Sequence, residues 1–170
     1  MNNYLGVAIA IKGAYEVPSE FDPRRDAISR VYRYRLLESL RRSPTRRGYT
    51  HVVRPGLNIM KMRSAALILL GKQNFCAFSG KQPQGLTFVR NMIRADVWRI
   101  DDEIAIEFEA NAFLPQQVRR MVAALVDVGY SKMTIENIEQ MVKCGVQGMA
   151  HKVFPPQGLM LREVKYMRFP

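Results

Sequence analysis

Residues 29–37 read Ser-Arg-Val-Tyr-Arg-Tyr-Arg-Leu-Leu, a stretch in which two kinds of side chain alternate. Val31, Arg33 and Arg35 occupy one set of positions, and Tyr32 and Tyr34 belong to the other. A repeat of two is the spacing of a β-strand, because successive side chains point to opposite faces. We therefore predict a strand over residues 29–37, with arginines on one face and tyrosines on the other.

The segments that follow predict helices. Asn58 precedes an apolar run of helical spacing and Gly71 follows it, which indicates a helix with a polar cap at its start. Residues 114–128 repeat apolar side chains at helical spacing and stop before Gly129, and Thr134 caps a third helix.

Further strands are predicted between and after these helices. Residues 87–99 and 103–110 alternate as two strands of a hairpin, with Asp101 and Asp102 at its turn. Residues 159–166 form a last strand after a proline-rich break. Interspersed strands and helices predict an α+β fold, with one mixed or antiparallel sheet and helices on one face.

Length and composition limit the class of protein. The 170 residues are enough for one domain, spanning residues 1–170, and no apolar run approaches the roughly 18 residues of a membrane span. The amino-terminal stretch lacks the cationic start of a signal peptide. Cys76 and Cys144 have no metal-type spacing, so we expect packed thiols in a reducing cytoplasm. With only two histidines, the chain has little material for a metal site or a histidine-based triad.

Positive charge is concentrated in one segment. Residues 24–54 contain ten arginines and no lysine against two carboxylates, so they carry a net +8 of the chain's +11. The arginines are at positions 24, 25, 30, 33, 35, 41, 42, 46, 47 and 54. Guanidinium groups bind phosphate oxygens through paired hydrogen bonds, so nucleic acid is the leading partner and an anionic membrane surface a weaker one.

Four short motifs follow one another along the chain. They are Phe-Asp-Pro-Arg at 21–24 with Arg-Val-Tyr-Arg-Tyr at 30–34, Leu-Gly-Lys-Gln-Asn-Phe at 70–75, Ala-Asn-Ala-Phe-Leu at 110–114 with Val-Arg at 118–119, and Pro-Pro-Gln-Gly-Leu-Met-Leu at 155–161 with Val-Lys-Tyr at 164–166. Their content and order resemble the carboxy-terminal half of the bacterial tRNA pseudouridine synthase A family. The resemblance covers residues 21–166.

This resemblance implies a reaction without metal or cofactor. A uridine of the tRNA anticodon stem-loop, at nucleotides 38 to 40 in the family, is flipped out, detached from its ribose and rejoined through carbon. In the family a tyrosine stacks on the flipped base and an arginine holds the catalytic aspartate ionised. On the motifs of this sequence, these positions fall on Tyr32 and Arg119.

The resemblance also implies a set of substrate contacts and an assembly. The substrate-binding residues expected on the motifs are Tyr32, Arg24, Arg30, Arg33, Asn111 and Leu161. Phe75, Phe78 and Phe113 are expected in the core. The partners implied are tRNA and a second copy of the chain, in the cytoplasm.

One family segment has no match in this sequence. The family's nucleophilic aspartate lies in an Arg-Thr-Asp-x-Gly-Val-His segment, and none of the six aspartates here has that context. We therefore expect a chain that corresponds to the family's second half, as an excised domain or a truncated product, and that is inactive alone. Two alternatives stay open: a basic RNA-binding module without chemistry, and a module whose arginines meet an acidic protein.

Overall fold

A computed structural model describes residues 2–81, 85 and 87–167, with the exception of the Cys144 side chain. The strands are β1 (Ala27–Glu38), β2 (His51–Val53), β3 (Gly71–Asn74), β4 (Val89–Ile100), β5 (Glu103–Ala110) and β6 (Leu159–Tyr166). The helices are α1 (Ile59–Leu67), α2 (Gln117–Gly129) and α3 (Ile135–Cys144). None of the helices in this described part is long and apolar enough to cross a membrane.

The six strands form one sheet. Five of them follow the order β2-β1-β5-β4-β3, and β6 pairs with β1 outside this order. The strand β6 pairs antiparallel with residues 27–34 of β1, and β2 pairs parallel with residues 36–38 of the same strand. The remaining pairs, β1 with β5, β5 with β4 and β4 with β3, are antiparallel. The predicted α+β fold with one mixed sheet is confirmed.

The predicted alternation of β1 decides which of its side chains enter the core. Tyr34 and Leu36 are fully buried in the cluster that the helices complete, and Ile106 and Phe108 of β5 lie beside them. Arg33 and Arg35 are on the opposite face, together with the carboxylates of β5. The three helices therefore cover one face of the sheet and leave charged residues on the other.

The polar caps found in the sequence begin two of the helices. The Asn58 side chain accepts a hydrogen bond from the Lys61 amide, so it starts α1. Thr134 and Asn137 form a reciprocal capping box at the start of α3, and Gly145 follows α3 in the left-handed region (φ 60°). In the hairpin, Asp101 turns the chain with φ 53°, as the turn interpretation of this pair predicted.

Three features differ from the sequence-based expectations. The strands β2 and β3 were not predicted, because three or four residues are too few to show a clear repeat of two. The helix α2 begins at Gln117 and not at residue 114, since the Gln117 side chain accepts a hydrogen bond from the Leu114 amide and holds the preceding turn.

The expected core residues are partly confirmed. Phe75 and Phe78 are fully buried. Phe113 is only half-buried, because it lies at the edge of a cavity. Cys76 is a buried thiol whose pKa is raised by burial, as a packed cysteine should be. The Cys144 side chain lies outside the described residues.

Candidate active site

A cavity of about 670 Å³ opens beside β1 at the start of α2. Its lining residues are Arg24, Tyr32, Arg90, residues 113–119 and Leu159. Neither aspartate nor glutamate is among these lining residues, whereas three of them are arginines. The cavity is therefore a positively charged space with aromatic and aliphatic walls.

Tyr32 stands on the helix-facing side of β1 at the wall of this cavity. Its ring is half-buried and meets Phe113 edge to face, with ring centroids 5.2 Å apart and planes at 87°. Phe108 of β5 and Leu161 of β6 lie opposite Tyr32 in the two neighbouring strands. The ring is thus held by the sheet and by Phe113 in a place where a planar ligand can stack on it.

Tyr34, two residues further along β1, has a supporting position. Its hydroxyl donates a 2.7 Å hydrogen bond to the Pro155 carbonyl oxygen, and the ring is fully buried. Burial raises the pKa of the Tyr34 hydroxyl, and the positive charge of Arg119 offsets part of that rise. Tyr34 therefore stays neutral and joins β1 to the segment that leads into β6.

Arg119 extends from the first turns of α2 into the cavity wall. Its Nε donates a hydrogen bond to the Phe154 carbonyl oxygen, and its own carbonyl accepts one from the Phe154 amide. Among the described residues, no carboxylate lies close enough to the Arg119 guanidinium to form an ion pair. Arg119 is oriented by the main chain and keeps its charge available to an anion.

The turn before β1 places Arg24 at the same cavity. The Asp22 carboxylate accepts hydrogen bonds from the Arg24 and Arg25 amides, which lower its pKa. Arg30 then fixes this turn to the sheet, because its guanidinium donates to the carbonyl oxygens of Arg24, Ala27 and Asn111. Arg24 is exposed at the cavity, while Arg30 is occupied by main-chain oxygens.

Asn111 closes the ladder between β4 and β5. Its side-chain oxygen accepts a hydrogen bond from the Asn91 amide, and its own amide donates to the Asn91 carbonyl. It lies outside the cavity lining, and its carbonyl oxygen accepts a hydrogen bond from Arg30, which also donates to the carbonyl of the lining residue Arg24.

Arg33 lies on the opposite face of the sheet from Tyr32. Its guanidinium forms a 2.8 Å ion pair with Glu107 and lies 4.9 Å above the Trp98 ring. Arg35 and Arg46 form ion pairs with Glu103 in the same way. Part of the arginine cluster therefore neutralises the carboxylates of β5, which was not expected from the sequence.

Leu161 is paired opposite Tyr32 but does not line the cavity. Its side chain is about half exposed on β6, and Leu159, two residues earlier, lines the cavity wall instead. The structure thus brings Tyr32, Arg119 and Arg24 together, and it places Arg30, Asn111 and Leu161 next to them and Arg33 on the other face.

Comparison with known proteins shows the family to which this chain belongs. The sequence model described as tRNA pseudouridine synthase matches residues 65–167. A tRNA pseudouridine synthase A from Geotalea daltonii is 36% identical over 166 residues, covering 98% of this chain and 68% of the relative. The chain belongs to the tRNA pseudouridine synthase family. The family predicted from the four motifs is confirmed, and with it the enzyme class, an isomerase.

Other family members have similar coverage. The tRNA pseudouridine synthase A of Neisseria meningitidis serogroup C is 35% identical over 169 residues, 98% of this chain and 63% of the relative. The protein of the same name from Geobacter sulfurreducens is 34% identical over 166 residues, with 98% and 68% covered. This synthase-family chain therefore spans about two thirds of the length of the curated relatives it matches.

None of the six aspartates of this pseudouridine synthase-family chain is among the residues that line the cavity. Asp22 and Asp26 hold the turn before β1, and Asp101 lies with Asp102 in the hairpin turn. The remaining two form ion pairs, Asp96 with Arg94 and Asp127 with Lys152. Within the described residues, no cluster of three histidine, cysteine, aspartate or glutamate side chains is placed to hold a metal ion.

Sequence reasoning missed Arg90 as a residue of this cavity. In the predicted strand, Arg90 is two residues before Met92, which is almost completely buried, so both belong to the covered face. A cation at a covered position is unusual and is the signal that could have identified it. Gln116, at the same cavity, adopts φ 61° before α2.

Proposed function

We propose that this chain forms the tyrosine and arginine side of the active site that converts uridine to pseudouridine in the anticodon stem-loop of tRNA. The observation that supports this most directly is the shared cavity of Tyr32 and Arg119. A ring that can stack on a base and a cation oriented for an anion are the two groups that the family resemblance requires.

The reaction rearranges bonds without a net change in atoms. The bond between N1 of uracil and C1′ of ribose breaks, and a bond between C5 and C1′ forms. C5 releases one proton and N1 takes up one, so the conversion needs no oxidant or reductant. The work of the protein is to hold a flipped base, which costs a few kcal/mol to unstack, and to keep a carboxylate ionised beside it.

Tyr32 is proposed to bind the flipped uracil. Stacking of one base on an aromatic side chain contributes roughly 1–3 kcal/mol. The edge-to-face contact with Phe113 holds the Tyr32 ring in one orientation, so little side-chain entropy is lost when a base stacks on it.

Arg119 is proposed to hold the nucleophilic carboxylate. An opposite charge within a few ångströms lowers a carboxylate pKa by roughly 1–3 units, which keeps it ionised. Because none of the six aspartates of this chain lines the cavity, we propose that the nucleophile comes from outside these 170 residues. The chain by itself should bind tRNA and catalyse no isomerisation.

Two measurements on the chain test this proposal. Tritium release from tRNA labelled at uracil C5 should be absent, and tRNA binding should weaken as salt increases. Tyr32→Ala should weaken binding roughly 5- to 150-fold, which corresponds to the stacking free energy. Tyr15→Ala is the matched control, because Tyr15 is an exposed tyrosine outside the cavity lining.

The outcomes separate the proposal from its alternatives. Tritium release by the chain alone would show that one of its own aspartates attacks. Binding of tRNA that is equally strong in Tyr32→Ala and Tyr15→Ala would support a non-catalytic RNA-binding module, which the carboxylate-free cavity lining also permits. Absence of salt-sensitive binding would contradict tRNA as the partner.

The homodimer implied by the resemblance is part of this proposal. Within the described residues, β6 pairs with β1 only, so its second edge is available to another strand. Sedimentation equilibrium should give twice the 19.5 kDa mass of the chain. A monomer at micromolar concentration would contradict the pairing and leave the tRNA proposal unaffected.

A further inference from the structure

Arg90 is a partly buried cation without a carboxylate partner in the described residues. Its Nη1 donates to the carbonyl oxygens of Thr87 at 2.9 Å and Val89 at 2.6 Å. Its Nε is buried and meets no acceptor there, and burial lowers the pKa of the guanidinium. The main chain thus fixes the orientation of Arg90 without compensating its charge.

Most other strand arginines of the sheet have a carboxylate partner. Arg33 and Arg94 form ion pairs with Glu107, Arg35 with Glu103, and Arg99 with Glu38. Arg30 has none among the described residues, but its guanidinium donates to three main-chain carbonyls and holds the turn before β1. Arg90 lacks a carboxylate partner in the described residues at the position where β4 reaches the cavity.

Arg90 shares this cavity with Arg24 and Arg119. Three cations around one space repel one another, and desolvation makes the partly buried charge of Arg90 more costly. A bound anion relieves both costs at once. Since one carboxylate at Arg119 accounts for a single negative charge, the cavity has positive charge left for a second anion.

We propose that Arg90, together with Arg24, binds a phosphodiester of the RNA strand next to the uridine that stacks on Tyr32. This inference rests on the proposed function, because it takes the strand that enters the cavity to be RNA. A phosphodiester has two unesterified oxygens that accept hydrogen bonds from guanidinium groups. Because the Thr87 and Val89 carbonyls already orient Arg90, little side-chain entropy is lost on binding.

The test compares tRNA binding by the 170-residue chain and its variants across a salt series. Arg90→Gln should reduce the slope of log affinity against log salt by roughly 0.7–0.9, the contribution of one phosphate contact. At 0.15 M salt this corresponds to roughly four- to fivefold weaker binding. Arg24→Gln should have an effect of the same size, and because Arg24 is exposed this second variant should fold normally.

Arg63→Gln is the matched control. Like Arg90, Arg63 donates to a main-chain carbonyl of β4, that of Val97, and it has no carboxylate ion pair among the described residues. The two carbonyls, of Val89 and Val97, are eight residues apart along the strand, roughly 27 Å. Removing the Arg63 charge should leave the salt slope unchanged. Arg90→Lys should keep the slope and weaken binding, since lysine keeps the charge and loses the planar fork.

Two results would overturn the inference. One is a salt slope in Arg90→Gln and Arg24→Gln equal to that of Arg63→Gln, while the unchanged chain and Tyr32→Ala behave as proposed. The other is absence of salt-sensitive tRNA binding by the unchanged chain, which would remove the proposed function as well. An unaltered affinity in Tyr32→Ala alone, with a reduced slope in Arg90→Gln, would contradict the base-stacking role and support the phosphate site.

Discussion

Replacing Gly158 by alanine should destabilise the fold by forcing Tyr34 out of place. A Cβ atom at Gly158 would lie 2.6 Å from Cε1 and 2.7 Å from Cζ of Tyr34, and 2.9 Å from the Arg35 carbonyl oxygen. Carbon atoms pack at roughly 3.5–4.0 Å, so the overlap with the ring is about 1 Å. The Arg35 oxygen belongs to the main chain of β1, so this second overlap cannot be relieved by moving the end of a flexible side chain.

The cost can be worked out from these contacts. Tyr34 is fully buried, so relieving the overlap requires a shift of the core, which costs roughly 1–3 kcal/mol. A displaced ring also weakens the hydrogen bond from its hydroxyl to Pro155, worth about 1 kcal/mol. We expect Gly158→Ala to lower the free energy of unfolding by about 2–4 kcal/mol.

Urea unfolding measures this difference, provided that the slope against denaturant is the same in all variants. Gly48→Ala is the matched control, because a Cβ atom at Gly48 meets no atom within 4 Å and neither glycine has a positive φ. Gly158→Ala in a Tyr34→Leu background should cost less than in the unchanged chain, since the ring is gone. A loss in Gly158→Ala no larger than in Gly48→Ala would refute the reasoning.

Three further predictions concern charged groups. Glu107→Gln should lower the free energy of unfolding by about 1–3 kcal/mol, because the carboxylate is buried beneath partly exposed arginines that lose their partner. Burial raises the pKa values of Glu38 and Glu109, but hydrogen bonds from their cationic partners bring both below the ordinary range. The stability they add is therefore present at neutral pH and is lost as pH falls from about 4.3 through these lowered values, which acid unfolding monitored by circular dichroism should show. Proton NMR should place the pKa of His51 below that of free histidine, because burial and then the Lys152 charge disfavour imidazolium.

Each of these three predictions has a control variant or an outcome that would contradict it. Glu139→Gln removes a more exposed carboxylate, paired with Lys143, and should lower the free energy of unfolding by less than about 0.5 kcal/mol. A loss in Glu107→Gln no larger than this would contradict the role given to the buried Glu107 carboxylate. Stability that is constant down to pH 3 would contradict the lowered glutamate pKa values. Lys152→Met should bring the pKa of His51 part of the way back towards that of free histidine. No change would show that the Lys152 charge has no effect on His51.

Much of the fold could be predicted from local patterns. The alternation at residues 29–37 separated Tyr34 from Arg33 on opposite faces of β1, and the caps at Asn58 and Thr134 start helices as expected. These features depend on neighbours within four residues along the chain, so their physical cause is visible in the sequence. The strand β2 could not be predicted from local patterns. Its three residues pair with β1 because the fold brings the two segments together.

The residues of the candidate site also divide into those that sequence motifs identified and those that only the fold revealed. Tyr32 and Arg119 were identified by motif, and the cavity that contains both is compatible with the roles proposed for them. Arg90 could not be assigned to it in this way, because a lone arginine in a strand does not show whether a carboxylate will meet it. For Arg33 the fold supplies Glu107, whereas the partners of Arg90 among the described residues are main-chain carbonyls.

The sequence by itself indicated the family through its motifs, and it determined the α+β class, the opposite faces of the tyrosines and arginines of β1 and the basic character of the surface, because motifs, periodicity, capping and composition are properties of short segments. The tertiary structure alone decided which arginines are neutralised and which keep their charge. That distinction depends on partners such as Arg33 and Glu107, 74 residues apart, whose distance is set by strand register and not by sequence spacing. The arginines around the cavity keep their charge because packing brings no carboxylate to its lining, and this is the basis of the anion binding proposed there.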